Sequence, residues 1–289
     1  MSENPIMKRI ERELYRRKAG GLLRATPREM PTDLLDMSTN SYLSLHKNVE
    51  INSEAMELCG GNLAGNTASR LVATTSSLYD DLEAELASLK HSESALVWSS
   101  GYAANVGIIT ALAGRHTAVF CDRLNHASIY DGIAMSGAIL IRYAHCDMND
   151  LAEKLLASNA SEKIIVTDAV FSMDGDRAPL LDICDCAERF GAMVMVDEAH
   201  STGIFGATGA GLCEEDGVCS RVAVRMGTLS KAIGSVGGFV ACSEKLRTYF
   251  VNYSRSFVYS TGLPPASLAF ALASVRYIRA HADAGKNLS

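Results

Sequence analysis

Apolar residues along this chain recur at two different spacings. Short, nearly unbroken apolar runs occupy 95–98, 118–121, 139–143, 164–167, 193–196, 222–226 and 239–241. Between and after them lie longer stretches with helical periodicity, at 78–89, 103–112, 151–157, 180–190 and 266–278. A strand that is apolar throughout, rather than at every second position, is buried on both faces. Strands of that kind alternating with helices predict an α/β fold with a mainly parallel sheet sandwiched by helices. Near the N-terminus Ile6, Ile10 and Leu14 fall every fourth residue, which predicts an amphipathic helix ending near Gly20-Gly21. Such a helix is expected to pack on a partner subunit or domain. The domains expected are therefore an N-terminal helix and arm over 1–45 and a large α/β domain over 46–289.

Composition narrows the chemistry. The 289 residues are 48% apolar and 21% charged, which is ordinary for a globular protein. The net charge of −6 argues against nucleic acid as a partner. Eight cysteines are scattered without a CxxC pair, and the histidines form no i,i+4 pair, so no metal site is expected. The thiols read as small reduced hydrophobes. No apolar run reaches membrane-spanning length and no signal-peptide core precedes the first helix, so no membrane partner is expected and the cytoplasm is the compartment expected.

In a parallel sheet, ligands bind beyond the carboxyl ends of the strands, so the residues just past each run matter most. Ser99-Ser100-Gly101-Tyr102 follows the first run, and Asp122 with Asn125-His126-Ala127-Ser128 follows the second. Asp168 and Phe171-Ser172-Met173-Asp174-Gly175-Asp176 follow the fourth, Asp197-Glu198-Ala199-His200 the fifth, and Gly227-Thr228-Leu229-Ser230-Lys231 the sixth. Polar and ionisable residues thus converge on one predicted rim. A carboxylate at the end of an apolar strand, as at Asp197, needs a donor or cation beside it, although a helix N-cap aspartate is a competing account. Ser100-Gly101 opens a helix whose first amides form an anion site. The stretch "GTLSKAIG" lacks the GxxxxGK[ST] spacing of a nucleotide phosphate loop. A lysine, a buried acid and an anion pocket together are the set that pyridoxal 5'-phosphate (PLP) requires: an amine to anchor its aldehyde, an acid at its ring nitrogen and donors for its phosphate.

The motifs "SSGYAAN" (99–105), "DRLNHAS" (122–128), "FSMDGD" (171–176), "VDEAHSTG" (196–203) and "GTLSKAIG" (227–234), in this order, resemble those of the α-oxoamine synthases, PLP enzymes of fold type I. The resemblance runs from about Asn40-Ser41-Tyr42-Leu43 to Tyr259-Ser260-Thr261-Gly262-Leu263-Pro264-Pro265, nearly the whole chain. It implies that Lys231 anchors the cofactor and acts as the catalytic base, that Asp197 pairs with the ring nitrogen, and that His126 stacks on the ring. By the same resemblance His200 and Ser172 lie near the ring hydroxyl, and Ser100, Gly101, Tyr102 and Thr228 lie around the phosphate. Ser260 and Thr261 correspond to a segment that reaches the phosphate of a neighbouring subunit, which implies a homodimer with shared sites. Arg24, Asn40 and His126 match substrate-contacting positions.

The family reaction joins an amino acid to an acyl-CoA, or an acyl carrier protein, with loss of carbon dioxide. Within the family "FSMDGDRAPL" and "SRLVATTS" are most similar to members that condense alanine with a pimeloyl thioester; condensation of glycine with acetyl-CoA, or the reaction of another family member, is the alternative. Two rival readings are a fold-type I aminotransferase and a non-catalytic, PLP-binding fragment or subunit. This sequence departs from the family pattern at Tyr79, where histidine is usual. The resemblance also implies a smaller C-terminal domain, carrying an arginine for the substrate carboxylate, that is absent from this chain.

Overall fold

The computed structural model describes residues 4–26, 36–72, 76–286 and 288; positions 73–75 of "SRLVATTS" lie outside them, as does Ser289, where the expected large domain ends. The chain divides into two units, Met1–Thr39 and Asn40–Ser289. In the first, helix α1 (Pro5–Ala19) is started by Asn4, whose side chain accepts from the Ile6 amide at 2.9 Å. Pro5 needs no amide partner at that position. Arg16, Arg17 and Lys18 in the last turn favour the negative end of the helix dipole. None of its residues is buried, so the stripe of Ile6, Ile10 and Leu14 lies exposed.

The second unit holds α2 (Val49–Leu58), α3 (Leu78–Leu89), β1 (Ser94–Trp98), α4 (Gly101–Leu112), β2 (Thr117–Asp122), α5 (Ala127–Ser136) and β3 (Ile139–Tyr143). It continues with α6 (Met148–Ala157), β4 (Glu162–Asp168), α7 (Leu180–Phe190), β5 (Met193–Asp197), α8 (Leu212–Glu215) and β6 (Val224–Thr228). It closes with β7 (Gly238–Cys242), α9 (Glu244–Tyr253), α10 (Arg255–Val258) and α11 (Pro265–Ala280).

The strands form one sheet in the order β1-β7-β6-β5-β4-β2-β3, parallel except that β7 runs against both its neighbours. Because β7 is reversed twice over, β1 points the same way as β6. The carboxyl ends of β1, β2, β4, β5 and β6 therefore share one edge, as the mainly parallel α/β reading expects.

Side-chain alternation sorts the core. Leu96, Trp98, Val119, Cys121, Val166 and Met195 pack on one face with Ile108, Ile129 and Phe250 from α4, α5 and α9. Ala95, Val97 and Phe239 face the other way, onto α3 and α11. Phe120, Ile165 and Val196 face that same side, where α6 and α7 supply Leu151, Leu155 and Ile183. The sheet is thus covered on both faces.

One strand sits two residues later than its apolar run. The run ends at Met226, but β6 continues through Gly227 and Thr228, which pair with Phe239 and Gly238. Apolar content does not register a glycine, yet the sheet needs one there: a Cβ at residue 227 would lie 2.4 Å from the Phe239 ring.

Beneath the rim lies an ion pair with no solvent exposure at all. Lys90, just past α3, reaches Glu198 at 2.6 Å and also donates to Thr202 and to the Ala210 carbonyl. The second Glu198 oxygen accepts from the Cys213 amide at 3.0 Å. Segment 198–213 is thereby tied to the end of α3. Replacing Lys90 with methionine strands the Glu198 charge, so urea unfolding of Lys90→Met is expected to show a loss of about 3–5 kcal/mol. Adding Glu198→Gln should recover part of that loss, and equal stabilities for the single and double variants would contradict this account.

Candidate active site

The five strand ends enclose a cavity of about 280 Å³. From the end of β1 come Ser100, Gly101 and Tyr102; from β2, His126 and Ser128; from β4, Asp168; from β5, Asp197, Ala199 and His200. The end of β6 adds Met226, Thr228, Ser230 and Lys231, and α4 adds Asn105.

At one side α4 begins. Ser100 is its N-cap, its hydroxyl accepting from the Ala103 amide at 3.0 Å. The first amides of a helix have no intrahelical acceptor and carry the positive end of its dipole, which suits an anion. The neighbouring β7 starts with Gly238 because a Cβ there would lie 2.6 Å from the Ser100 carbonyl oxygen. Thr228 adds a hydroxyl nearby, donating to the Gly237 carbonyl at 2.9 Å and accepting from the Ser230 amide at 3.2 Å.

Asp197 is buried, and both its oxygens are held. One accepts from the Ala199 amide at 2.9 Å and the other from the Asn105 amide nitrogen at 2.7 Å. Asn105 also donates to Ser128 at 2.9 Å, which in turn meets His126 Nδ1 at 2.7 Å. Asp168 lies beside Asp197 in the β4–β5 ladder. Burial, then the Asp197 charge, pushes its carboxyl well above the usual range. Asp168 Oδ1 and Asn105 Oδ1 are buried with no hydrogen-bond partner among the described residues.

Lys231 sits in the turn after β6, braced by the Gly234 amide donating to the Lys231 carbonyl at 3.0 Å. Its Nζ meets His200 Nε2 at 2.7 Å. Burial lowers the amine below the usual lysine range, and the carboxylates of Asp197 and Asp168 offset part of that. His200 is pushed down to about 4 by burial and by the charges of Lys231 and His126. A half-buried amine with a depressed pKa, beside a neutral imidazole, is set up to act as a nucleophile or base.

Several expected site residues fall elsewhere. Ser172 is exposed in the turn after β4 and does not line the cavity; that turn closes on itself through Phe171–Asp176 and Gly175–Phe171 backbone bonds. Ser260 and Thr261 lie in a smaller neighbouring cleft with Arg70 and Tyr79, and Ser260 meets Ser99 at 3.3 Å. Asn40 is exposed and connects to the site through Tyr42. Arg24 belongs to the first unit and is exposed there.

Tyr79 acquires a clear place. Its hydroxyl accepts from the Leu263 amide at 2.6 Å, and Arg70 stacks on its ring at 3.7 Å. It anchors the segment bearing Ser260 and Thr261.

Asn105 and Tyr42 are not marked as site residues by the sequence, and Ser128 only as part of the run that follows the second strand. The signal for Asn105 is its position four residues after Gly101, one helical turn along the same face. Tyr42 carries no such signal, since its partner His200 is distant in sequence.

The model of the family described as aminotransferase class I and II matches residues 32–284. A putative 8-amino-7-oxononanoate synthase of Halalkalibacterium halodurans is 46% identical over 246 residues, covering 85% of this chain and 62% of that protein. An 8-amino-7-oxononanoate synthase of Trichlorobacter lovleyi is 48% identical over 244 residues, covering 84% and 62%. The chain thus spans less than two thirds of the length of these relatives. Among solved structures, serine palmitoyltransferase from S. paucimobilis with a bound PLP–myriocin adduct superposes with a TM-score of 0.89 at 29% identity, over 99% of this chain and 78% of that one. The 8-amino-7-oxononanoate synthase of Francisella tularensis gives 0.76 at 27% identity, over 89% and 73%.

The depressed His200 pKa has a measurable sign. Unfolded, this imidazole takes a proton near its usual value of 6.5, while the folded form takes one only near 4. Stability is therefore lost as pH falls through that window. The melting temperature of His200→Gln should fall less steeply between pH 6.5 and 4 than that of the parent chain; parallel slopes would remove His200 from the account.

Proposed function

The chain belongs to the aminotransferase class I and II family, on its α-oxoamine synthase branch, and from that membership we propose that it binds PLP and condenses an amino acid with an acyl thioester, releasing carbon dioxide. The substrates proposed are L-alanine and a pimeloyl thioester, of CoA or of a carrier protein, giving 8-amino-7-oxononanoate for biotin synthesis. The observation that carries the reading is Lys231 Nζ, its pKa lowered, in one cavity with the buried Asp197 carboxylate and the amino end of α4.

The residues present fit the cofactor. The first amides of α4, with Ser100, Gly101, Tyr102 and Thr228 around them, suit its phosphate. Asp197 offers a buried carboxylate for a protonated ring nitrogen, and Asn105 and the Ala199 amide hold that carboxylate in place. His126 caps α5 at the cavity wall, where its ring is held by Ser128. When bound, PLP supplies an electron sink for the carbanion formed at the amino acid's α-carbon. Lys231 anchors the cofactor's aldehyde and, once its amine is released, takes the α-proton. Asp197 keeps the ring nitrogen charged, and His200 holds Nζ in position. A positioned base of this kind contributes a factor on the order of 10²–10⁴ in rate. A homodimer in which Ser260 and Thr261 serve the neighbouring subunit's site is part of the same proposal.

Adding PLP to the purified chain and reducing with borohydride should leave a covalent adduct on Lys231, read by mass spectrometry, that Lys231→Ala lacks. An adduct found on another lysine instead would overturn the assignment of Lys231. Product analysis with alanine, glycine or serine against acetyl-, pimeloyl- and palmitoyl-CoA is expected to give carbon dioxide and free CoA with alanine and pimeloyl-CoA. Turnover only with glycine and acetyl-CoA would replace the proposed substrates, and amino-group transfer without carbon dioxide would replace the reaction.

A further inference from the structure

A continuous line of hydrogen bonds leads from the floor of the cavity to the protein surface. Lys231 Nζ lies 2.7 Å from His200 Nε2. His200 Nδ1 lies 2.7 Å from the Tyr42 hydroxyl, and that hydroxyl donates to Asn40 Oδ1 at 3.1 Å. Lys231 and His200 line the cavity, Tyr42 is half-buried, and Asn40 is exposed.

Donor counting sets the direction of this line. The single hydroxyl proton of Tyr42 goes to Asn40, so Tyr42 can only accept from His200. Nδ1 then carries the ring proton, and Nε2 presents its lone pair to Nζ. The arrangement suits a charged Lys231: ammonium to imidazole, imidazole to phenol, phenol to amide. Every member has a use for its proton.

We propose that Tyr42 and His200 form a proton relay that connects Lys231 Nζ to solvent at Asn40, with the tautomer of His200 reporting the charge of the lysine. As Nζ gives up a proton to Nε2, Nδ1 passes its own to the Tyr42 oxygen, and Tyr42 passes its original hydroxyl proton to water beside Asn40. One N–H bond is lost at Nζ and one gained at Nε2; one is lost at Nδ1 and one O–H gained at Tyr42. The proton leaving Tyr42 completes the balance in water, and the imidazole is neutral before and after. The neutral amine then accepts from Nε2–H, and the Tyr42 hydroxyl donates to Nδ1. The whole line has reversed.

The surroundings favour passage over storage. Burial and the Lys231 and His126 charges keep the ring from holding a second proton, and burial raises the Tyr42 phenol so that it does not ionise. The other charged groups acting on Nζ are Asp168 and Asp197, at the ends of β4 and β5; they set where the amine titrates and lie outside the line itself. The relay deepens the proposed function, because Lys231 must shed a proton before it can act as a nucleophile. Tyr42 is a positioning residue here, acting through His200.

The relay is tested without cofactor, by following the ring nitrogens of His200 with ¹⁵N NMR in the whole chain. His200→Gln identifies the resonances, and reductive methylation of Lys231, read by mass spectrometry, gives the amine's own midpoint. The expected result is a neutral His200 that carries its proton on Nδ1 below that midpoint and on Nε2 above it. Lys231→Ala should abolish the crossover, and Tyr42→Phe should abolish it while leaving the circular dichroism unchanged. A tautomer that stays constant through the lysine midpoint would overturn the relay, as would a Tyr42→Phe protein that crosses over like its parent. If Tyr42→Phe fails to fold, the parent chain and Lys231→Ala still decide. Because no cofactor is added, failure here is distinct from failure of PLP to bind.

Discussion

The site rests on a buried ion pair that takes no part in its chemistry. Lys90 and Glu198 meet with no solvent exposure, one at the end of α3 and the other directly after Asp197. Two charges removed from water are tolerated only when their remaining hydrogen-bonding capacity is filled. Here Thr202, the Ala210 carbonyl, Ser201 and the Cys213 amide do that. The cost of leaving any of them unpaired holds the irregular segment after β5 in one conformation. His200, on that segment, and Asp197, directly before it, inherit its rigidity.

Above this foundation the cavity balances its own charges. Asp168 and Asp197 are neighbours in the ladder, and two adjacent buried carboxylates disfavour double ionisation. Both Asp197 oxygens accept hydrogen bonds, from Asn105 and from the Ala199 amide, whereas one Asp168 oxygen has no hydrogen-bond partner among the described residues. The acid proposed to meet a ring nitrogen is thus the one with both oxygens held, while burial and that neighbour push Asp168 toward its neutral form. In the same cavity burial lowers both Lys231 and His200. Low polarity around the cavity thus shifts acids and bases in the directions that make an amine reactive.

A second ionic network supports the rim at β1. Glu83 accepts from the Val97 amide, from Arg70 and from Arg247, and Arg70 in turn lies over Tyr79. At the position where the resemblance implies histidine, the Tyr79 hydroxyl reaches the backbone at Leu263. A position that looked like a departure in the sequence is a fastening for the segment of Ser260 and Thr261.

By itself the sequence determined the alternation of strands and helices, because a doubly covered strand must be apolar throughout and a helix must repeat at 3.6 residues. It also determined which residues end the strands, and so most of the cavity wall: Ser100, Gly101, Tyr102, His126, Asp197, His200, Thr228 and Lys231 all line it. The direction of β7 was beyond it, and only that reversal brings β1 to the same edge as β6. The extension of β6 through Gly227 was hidden too, since that glycine is required by the Phe239 ring on the adjacent strand. Ser172 shows the converse, a motif residue that the turn after β4 leaves exposed. Contacts between residues far apart in the chain, Lys90 with Glu198 and Tyr42 with His200, leave no local pattern. Their partners are chosen by packing, and only the tertiary structure decided them.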